Sequence, residues 1–251
     1  MTEDEKIMAK KMPVIDIVMT HKNRLENLKR TLDYLWKRTK SKYTLSISDD
    51  GSTDGSQEYL IDLFHQGKLK NLVLHSKSMG YYSNINGATG NVTTPYFVFM
   101  TDDTLVPDVE PDWLQRLWQE LDRCIPMGMI GLNNPTQPIL PFYLKDKTET
   151  IQFTDQICSN VILFRNKPDI GYGDLPFKPL STTNPKLADE MTPFSVNCIA
   201  SGHTLGYLFD TYTCHIGEKS TIGVYENDEY PKKTFIKVDP RTLEPLEEYR
   251  E

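Results

Sequence analysis

The sequence predicts an α/β fold: a central, mostly parallel β-sheet flanked by helices. Three observations predict it. Short apolar, β-rich runs alternate with segments whose apolar residues recur at helical spacing, as in strand–helix–strand units. Composition is that of an ordinary globular chain, 38% hydrophobic and 25% charged over 251 residues, enough for one large domain with a real core. And two acidic pairs, Asp49-Asp50 and Asp102-Asp103, directly follow apolar runs. Sheets of this kind bind ligands there, beyond the carboxyl ends of their strands.

Each element can be justified in turn. Residues 14–20 (VIDIVMT) are short and apolar enough for a buried strand. Leu25, Leu28, Leu32, Leu35 and Trp36 then recur at helical spacing. Residues 43–48 are a second strand, and Tyr59, Leu60, Leu63 and Phe64 mark a short helix that Gly67 ends. Residues 71–75 (NLVLH) form a third strand, 81–93 a polar helix and 96–100 (YFVFM) a fourth strand. Trp113, Leu114, Leu117, Trp118 and Leu121 make another helical stripe, followed by a strand at 127–132. From 133 to 187 prolines break the pattern into loops and short strands, with one strand candidate at 160–165; this irregular stretch is expected to shape the acceptor side of a substrate pocket. Residues 189–202 read as helix and 207–213 as strand. The division expected is an extension at 1–12, one domain at 13–225 with halves meeting at 132/133, and a polar tail at 226–251 lying on the surface.

The net charge of −7 argues against a nucleic-acid partner. An anionic ligand would need local help from a metal ion or a helix N-terminus. The four cysteines are far apart and form no CxxC pair, so neither a zinc cluster nor a disulfide framework is indicated. The charged N-terminus has no apolar leader, and no run of 18 apolar residues occurs, so a transmembrane segment is not expected. Reduced thiols and these absences point to a cytoplasmic protein.

The stretch SISDDGSTDGSQEYL at 46–60 crowds Asp49, Asp50, Asp54 and Glu58 into one loop. A calcium loop of the EF-hand kind needs Gly at position 6 and Glu at position 12. Placing Gly55 at the first of these puts Ile61 at the second, and placing Gly51 there puts Ser46 at position 1, so both registers fail. A helix cap by Asp54 or Ser56 is chemically sound. It leaves two adjacent carboxylates at a strand end unexplained.

VIDIVMTHKNR, YTLSISDDGSTDGSQEYL and TPYFVFMTDD together resemble the inverting family 2 glycosyltransferases, which have the GT-A fold with a Rossmann-like sheet. The resemblance runs from about Pro13 to His215. It implies that the first strand end and the DDGS loop hold the base and ribose of a nucleotide-diphospho-sugar, UDP-, dTDP- or GDP-linked, through Thr20, His21, Arg24, Asp49 and Asp50. Gly80 would let backbone approach the donor, and Asn86 matches the family's Asn. FMTDD stands where the family has a DxD motif binding Mn2+ or Mg2+. Thr101 replaces its first Asp, and Asp102-Asp103-Thr104 looks like the NDT variant of rhamnosyltransferase-like members. The implied roles are Asp103 as metal ligand, Asp102 as ribose or outer partner, and His215 as a further metal ligand.

An inverting transfer also needs one general base for the acceptor hydroxyl. The matching segment is Asp189-Glu190, in the order DE where the family has ED, and the choice between the two stays open. The expected acceptor is a glycan or glycolipid hydroxyl, and the expected sugar a hexose or deoxyhexose. Two rivals stand beside this reading. A sugar-1-phosphate nucleotidyltransferase should carry a glycine-rich loop after the first strand, which MTHKNRLENL lacks. A non-catalytic nucleotide-sugar-binding module draws on Thr101 and on the reordered base motif.

Overall fold

The computed structural model describes residues 10–134, 144–155, 157, 159–166, 192–216 and, as backbone, 234–238 and 245–250. The chain begins with β1 (Ile15–His21), α1 (Leu25–Arg38), β2 (Tyr43–Asp49), α2 (Ser56–His65) and β3 (Asn71–Leu74). It continues through α3 (Tyr81–Thr89), β4 (Tyr96–Thr101), the two-residue β5 (Thr104–Leu105), α4 (Trp113–Arg123) and β6 (Met127–Asn133). Then come β7 (Leu144–Lys147), β8 (Ile151–Thr154), β9 (Val161–Arg165), α5 (Thr192–Ala200), β10 (Thr204–Tyr212) and β11 (Cys214–His215). A final antiparallel pair, β12 (Thr234–Val238) and β13 (Pro245–Arg250), lies in the segment read as a polar tail.

The local reasons are plain. In α1, Leu28, Leu32 and Leu35 form one buried stripe, with Glu26 in the first turn and Lys37 and Arg38 in the last, matching the helix dipole. The end of α2 is a Schellman closure: Gly67, at φ +71°, donates to the Phe64 carbonyl and Lys68 donates to that of Leu63. Asp112 caps α4 by accepting from Gln115 N at 2.9 Å, and its other oxygen accepts from Lys40 N at 2.6 Å. The buried cap therefore also fixes the turn between α1 and β2.

Nine strands make one sheet in the order β3-β2-β1-β4-β9-β6-β10-β8-β7. The block β3-β2-β1-β4 is parallel, β9 runs against both β4 and β6, and β10 returns parallel to β6. The sheet is thus mixed. It is covered on both faces. One core joins it to α1, α2 and α4 through Ile17, Met19, Leu32, Leu60, Trp113 and Leu117. The other joins it to α3 and α5 through Val18, Ile85, Phe164, Phe194 and Cys198. Phe97 and Phe164 stack at 4.7 Å across β4 and β9, and Phe194 of α5 meets Phe164 edge-on at 5.9 Å.

Two short strands inside the stretch read as loops and short strands, β7 and β8, extend the sheet at its far edge. All four residues of β7 (LKDK) are exposed, so no burial pattern marked it.

Register decides what the sheet presents. Thr20 of β1 pairs with Thr101 of β4, and His21 with Asp49 of β2. Three strands therefore end together, and residues 21–24, 49–54 and 101–104 share one edge. The loop after β2 turns at Gly51, φ +73°, where an added Cβ would meet Lys77 C at 2.6 Å and Ser78 N at 2.8 Å. Those atoms are backbone and cannot step aside. Gly51→Ala is expected to lower unfolding stability by about 2 kcal/mol or more. Urea denaturation checks this; a loss within error of zero would mean the loop does not touch the 77–78 backbone.

Candidate functional site

The site is built from the loop after β1. His21, Lys22, Asn23 and Arg24 each reach a different partner. Asn23 takes the left-handed conformation, φ +50°, which Asn tolerates. Its backbone N–H donates to Ser52 Oγ and its Oδ1 accepts from Thr53 N, both at 2.8 Å. It thereby stitches the first strand end to the acidic loop.

Within that loop the carboxylates differ in duty. Asp49 is fully buried; it accepts from Ser52 N at 2.9 Å, Gln57 Nε2 at 2.6 Å and the Ser52 hydroxyl. Its oxygens hold the loop's own groups. Asp54 accepts from Leu25 N at 3.0 Å and Ser56 N at 3.2 Å, so it serves the first turns of α1 and α2 together.

Asp50 reaches across to the loop before α3. It accepts from Met79 N at 2.6 Å, Gly80 N at 3.2 Å, Ser78 Oγ at 2.6 Å and Lys22 Nζ at 3.2 Å. Burial works to raise its pKa, but these donors outweigh it and hold the carboxyl below the usual range. Gly80 turns into α3 at φ +88°, with open space where a Cβ would stand.

The second acidic pair is more enclosed. Asp102 is 5% exposed and Asp103 2%. The buried ring of His21 places Nδ1 2.6 Å from Asp102 Oδ2, and Thr31 Oγ1 donates to the Asp102 carbonyl at 3.0 Å. Arg24 Nη1 lies 2.6 Å from Asp103 Oδ2 and 3.6 Å from Asp102 Oδ1. His215 Nε2 lies 2.8 Å from the same Asp103 Oδ2.

His215 arrives there by backbone pairing. β11 runs antiparallel to β5 with His215 opposite Thr104, and Ile216 N donates to the Asp103 carbonyl at 2.8 Å. Burial pushes the Asp103 carboxyl up, while the hydrogen bond and charge of His215, then Thr101 and Arg24, bring it below the usual range. Thr101, in place of the first Asp of a DxD motif, shares a hydrogen bond with Thr104 at 2.7 Å.

Five buried polar atoms on the elements framing this edge lack a hydrogen-bond partner: His21 Nε2, Ser48 Oγ, Asn84 Oδ1, Asp103 Oδ1 and His215 Nδ1. Bare buried polar atoms are costly, and a ligand, an ion or water is the usual remedy. The bare Asp103 Oδ1 and the neighbouring His215 imidazole suit a divalent cation of the Mn2+ or Mg2+ type. Among the described residues no three His, Cys, Asp or Glu side chains converge as a metal cage. Such an ion needs few protein ligands when phosphate and water oxygens complete its shell.

Of the residues singled out from the sequence, His21, Arg24, Asp102, Asp103 and His215 meet in one cluster, and Asp50 and Gly80 in a second beside it. Thr20 stands half-buried at the end of β1, and Asn86 lies half-buried within α3. Asp189 and Glu190 lie outside the described residues. Sequence reasoning missed Lys22 and Ser78 as partners of Asp50. It also missed Asn84, whose Nδ2 donates to the His21 carbonyl at 3.2 Å. Lys22 was findable, since it sits between two chosen residues in THKNR; Asn84 had no local signal.

A sheet with helices on both faces and acidic residues past the aligned ends of its parallel strands matches the GT-A fold. The chain belongs to glycosyl transferase family 2, whose pattern matches residues 16–167, more than half of it.

Solved structures agree on the fold. The mannosyltransferase PcManGT from Pyrobaculum calidifontis, in complex with GDP-Man and Mn2+, superposes with a TM-score of 0.59 at 13% identity, over 86% of this chain and 63% of that one. GalNAc-T7 with UDP, GalNAc and Mn2+ gives 0.60 at 15%, over 81% and 43%. S. aureus TarS 1–349 in complex with UDP-GlcNAc gives 0.60 at 14%, over 85% and 62%. This chain thus spans less than two thirds of the length of each. No match appears among curated proteins. No helix among the described residues is long and apolar enough to cross a membrane.

Because the Asp50 carboxyl is held below its unfolded value of about 3.9, its contribution to stability is complete above that value. It is lost as pH falls from about 4 through the folded pKa. The stability gap between the protein and Asp50→Asn should therefore narrow across that window. Urea midpoints taken from pH 6 down to pH 3 check this; a constant gap would show that Asp50 is not depressed.

Proposed function

We propose that the protein is a metal-dependent, inverting glycosyltransferase that moves a sugar from a nucleotide-diphospho-sugar to a hydroxyl of a glycan or glycolipid. One observation carries the reading: a two-residue ladder brings His215 onto Asp103, 112 positions earlier, at the edge where β1, β2 and β4 end. A buried carboxylate and an imidazole meeting there, one carboxylate oxygen bare, are donor types that suit a divalent cation.

In this reading Asp103 and His215 hold a divalent ion, Mn2+ or Mg2+. When bound, it neutralises the charge that builds on the leaving diphosphate. His21 holds Asp102 by one oxygen, and the other would accept from a ribose hydroxyl. Asp50, Lys22 and the Gly80 backbone line the base and ribose side, with Thr20 at the strand end and Asn86 on α3 beside it. Asp49 acts by holding that loop in shape. The general base is Asp189 or Glu190; the one that serves takes the proton of the acceptor hydroxyl as its oxygen attacks the anomeric carbon. Inversion follows from that single displacement.

The named complexes of the neighbours contain GDP-Man, UDP with GalNAc, and UDP-GlcNAc, so GDP- and UDP-linked hexoses are the first donors to test. The Asp102-Asp103-Thr104 segment keeps dTDP-linked deoxyhexoses beside them. Residues 133–225 carry the acceptor, and the working compartment is the cytoplasm.

Thermal melting with UDP, dTDP, GDP and CDP, each with Mn2+ and with EDTA, tests the donor reading. One nucleotide at a hundred times its Kd should add about 2.7 kcal/mol of stability, and EDTA should remove most of it. No shift with any nucleotide would reject the site. Asp103→Ala should lower kcat/KM by at least about a hundredfold; full activity would reject the metal assignment. Of Asp189→Ala and Glu190→Ala, one should abolish transfer while sparing nucleotide binding; if neither does, the base lies elsewhere.

A further inference from the structure

Asp103 carries a guanidinium and an imidazole on one oxygen, and no side-chain donor lies within hydrogen-bond distance of the other. His215 Nε2 at 2.8 Å and Arg24 Nη1 at 2.6 Å both approach Oδ2, while buried Oδ1 is bare. Arg24 also spans to Asp102 Oδ1 at 3.6 Å. The three acid and imidazole side chains are at most 7% exposed, yet that of Arg24 is 34% exposed. The guanidinium therefore lies over the acidic pair on its solvent side. It projects from the residue just before α1, on a backbone of φ −146° and ψ 47°, and its side chain is long enough to swing away without disturbing the helix.

We infer that Arg24 is the resident counter-ion of the acidic pair, and that its exchange for the metal couples metal binding to diphosphate binding. The inference rests on the metal reading above. A divalent ion on Asp103 and a guanidinium at contact distance from the same carboxylate repel each other strongly where water is scarce. Metal entry at the bare oxygen therefore loosens Arg24 from the carboxylate. The loosened guanidinium needs a new anion, and its planar fork suits phosphate oxygens. A nucleoside diphosphate supplies them at this edge. Metal alone must compete with Arg24. Metal with diphosphate does not, because Arg24 gains a partner as it leaves. The two ligands then favour each other, and by linkage to the same degree in either order. Lys22 is no substitute, since it is bound to Asp50 at 3.2 Å and to Ser78 at 2.6 Å.

The test measures Mn2+ binding to the full chain by calorimetry, with and without saturating UDP or GDP. Arg24→Met should bind Mn2+ alone about tenfold tighter than the parent, and the tightening of Mn2+ by nucleotide should fall by about the same factor. Lys22→Met, which removes an equal charge two positions away in the same loop, should change the affinity for Mn2+ alone by less than about twofold. Without metal, Arg24→Met should melt lower than the parent, and Mn2+ should recover the loss. Arg24→Gln replaces it if Arg24→Met does not fold. Equal Mn2+ affinity in the parent and the Arg24 variants overturns the inference and leaves the metal reading standing, as does equal tightening by Lys22→Met. No Mn2+ binding to any of them, even with nucleoside diphosphate, rejects the metal reading and the inference with it.

Discussion

Two adjacent carboxylates with almost no access to water set the terms for this molecule. Asp102 and Asp103 lie at the end of β4, 5% and 2% exposed. Burying one carboxylate without compensation is costly, and a like charge beside it adds to the cost. The surrounding structure supplies the compensation from three directions. His21 comes from the neighbouring strand end, Arg24 from the turn into α1, and His215 from β11, 112 positions on from Asp103. None of the three is local to the pair. The groups that compensate the pair meet it only once β1, α1 and β11 are all in place, so the site and the tertiary fold form together.

The turn between β1 and α1 distributes this work among consecutive residues. His21 serves Asp102, Lys22 serves Asp50, Asn23 ties down Ser52 and Thr53, and Arg24 serves Asp103. A strand end that fans its side chains to two loops needs a backbone that changes direction within a few residues. The left-handed Asn23 provides that change. The carboxylates of the DDGSTDGS loop divide in the same way. Asp49 and Asp54 are occupied with loop and helix ends, and Asp50 reaches across to Lys22 and the 78–80 backbone. A dense acidic motif is therefore largely scaffold: its carboxylates tie the loop to helix ends and to the 78–80 segment.

The parallel half of the sheet was legible residue by residue. VIDIVMT, YTLSIS, NLVLH and YFVFM became β1 to β4 with ends shifted by a residue or two, and the stripes of Leu32 and Leu117 became α1 and α4. Such elements declare themselves because burial on a regular backbone imposes a period on the chain. The second half of the chain was less legible. β10 starts at Thr204, earlier than its apolar run suggested, and the exposed β7 carries no period at all. The insertion of β9 between β4 and β6 is a matter of pairing over long separations, which local pattern does not encode.

By itself the sequence determined the class of fold, the order of its first strands and helices, and the position of two acidic pairs past strand ends. These follow from properties carried by neighbouring residues: burial period, turn chemistry and charge. Only the tertiary structure decided what the acids touch. That His215 faces Asp103 depends on a two-residue ladder between segments 112 positions apart. That the His21 ring turns to Asp102 and Arg24 to Asp103 depends on the register of β1 against β4. Contacts of this kind are set by which strands lie side by side, and a side chain's partner across a sheet leaves no mark on the residues next to it in the chain.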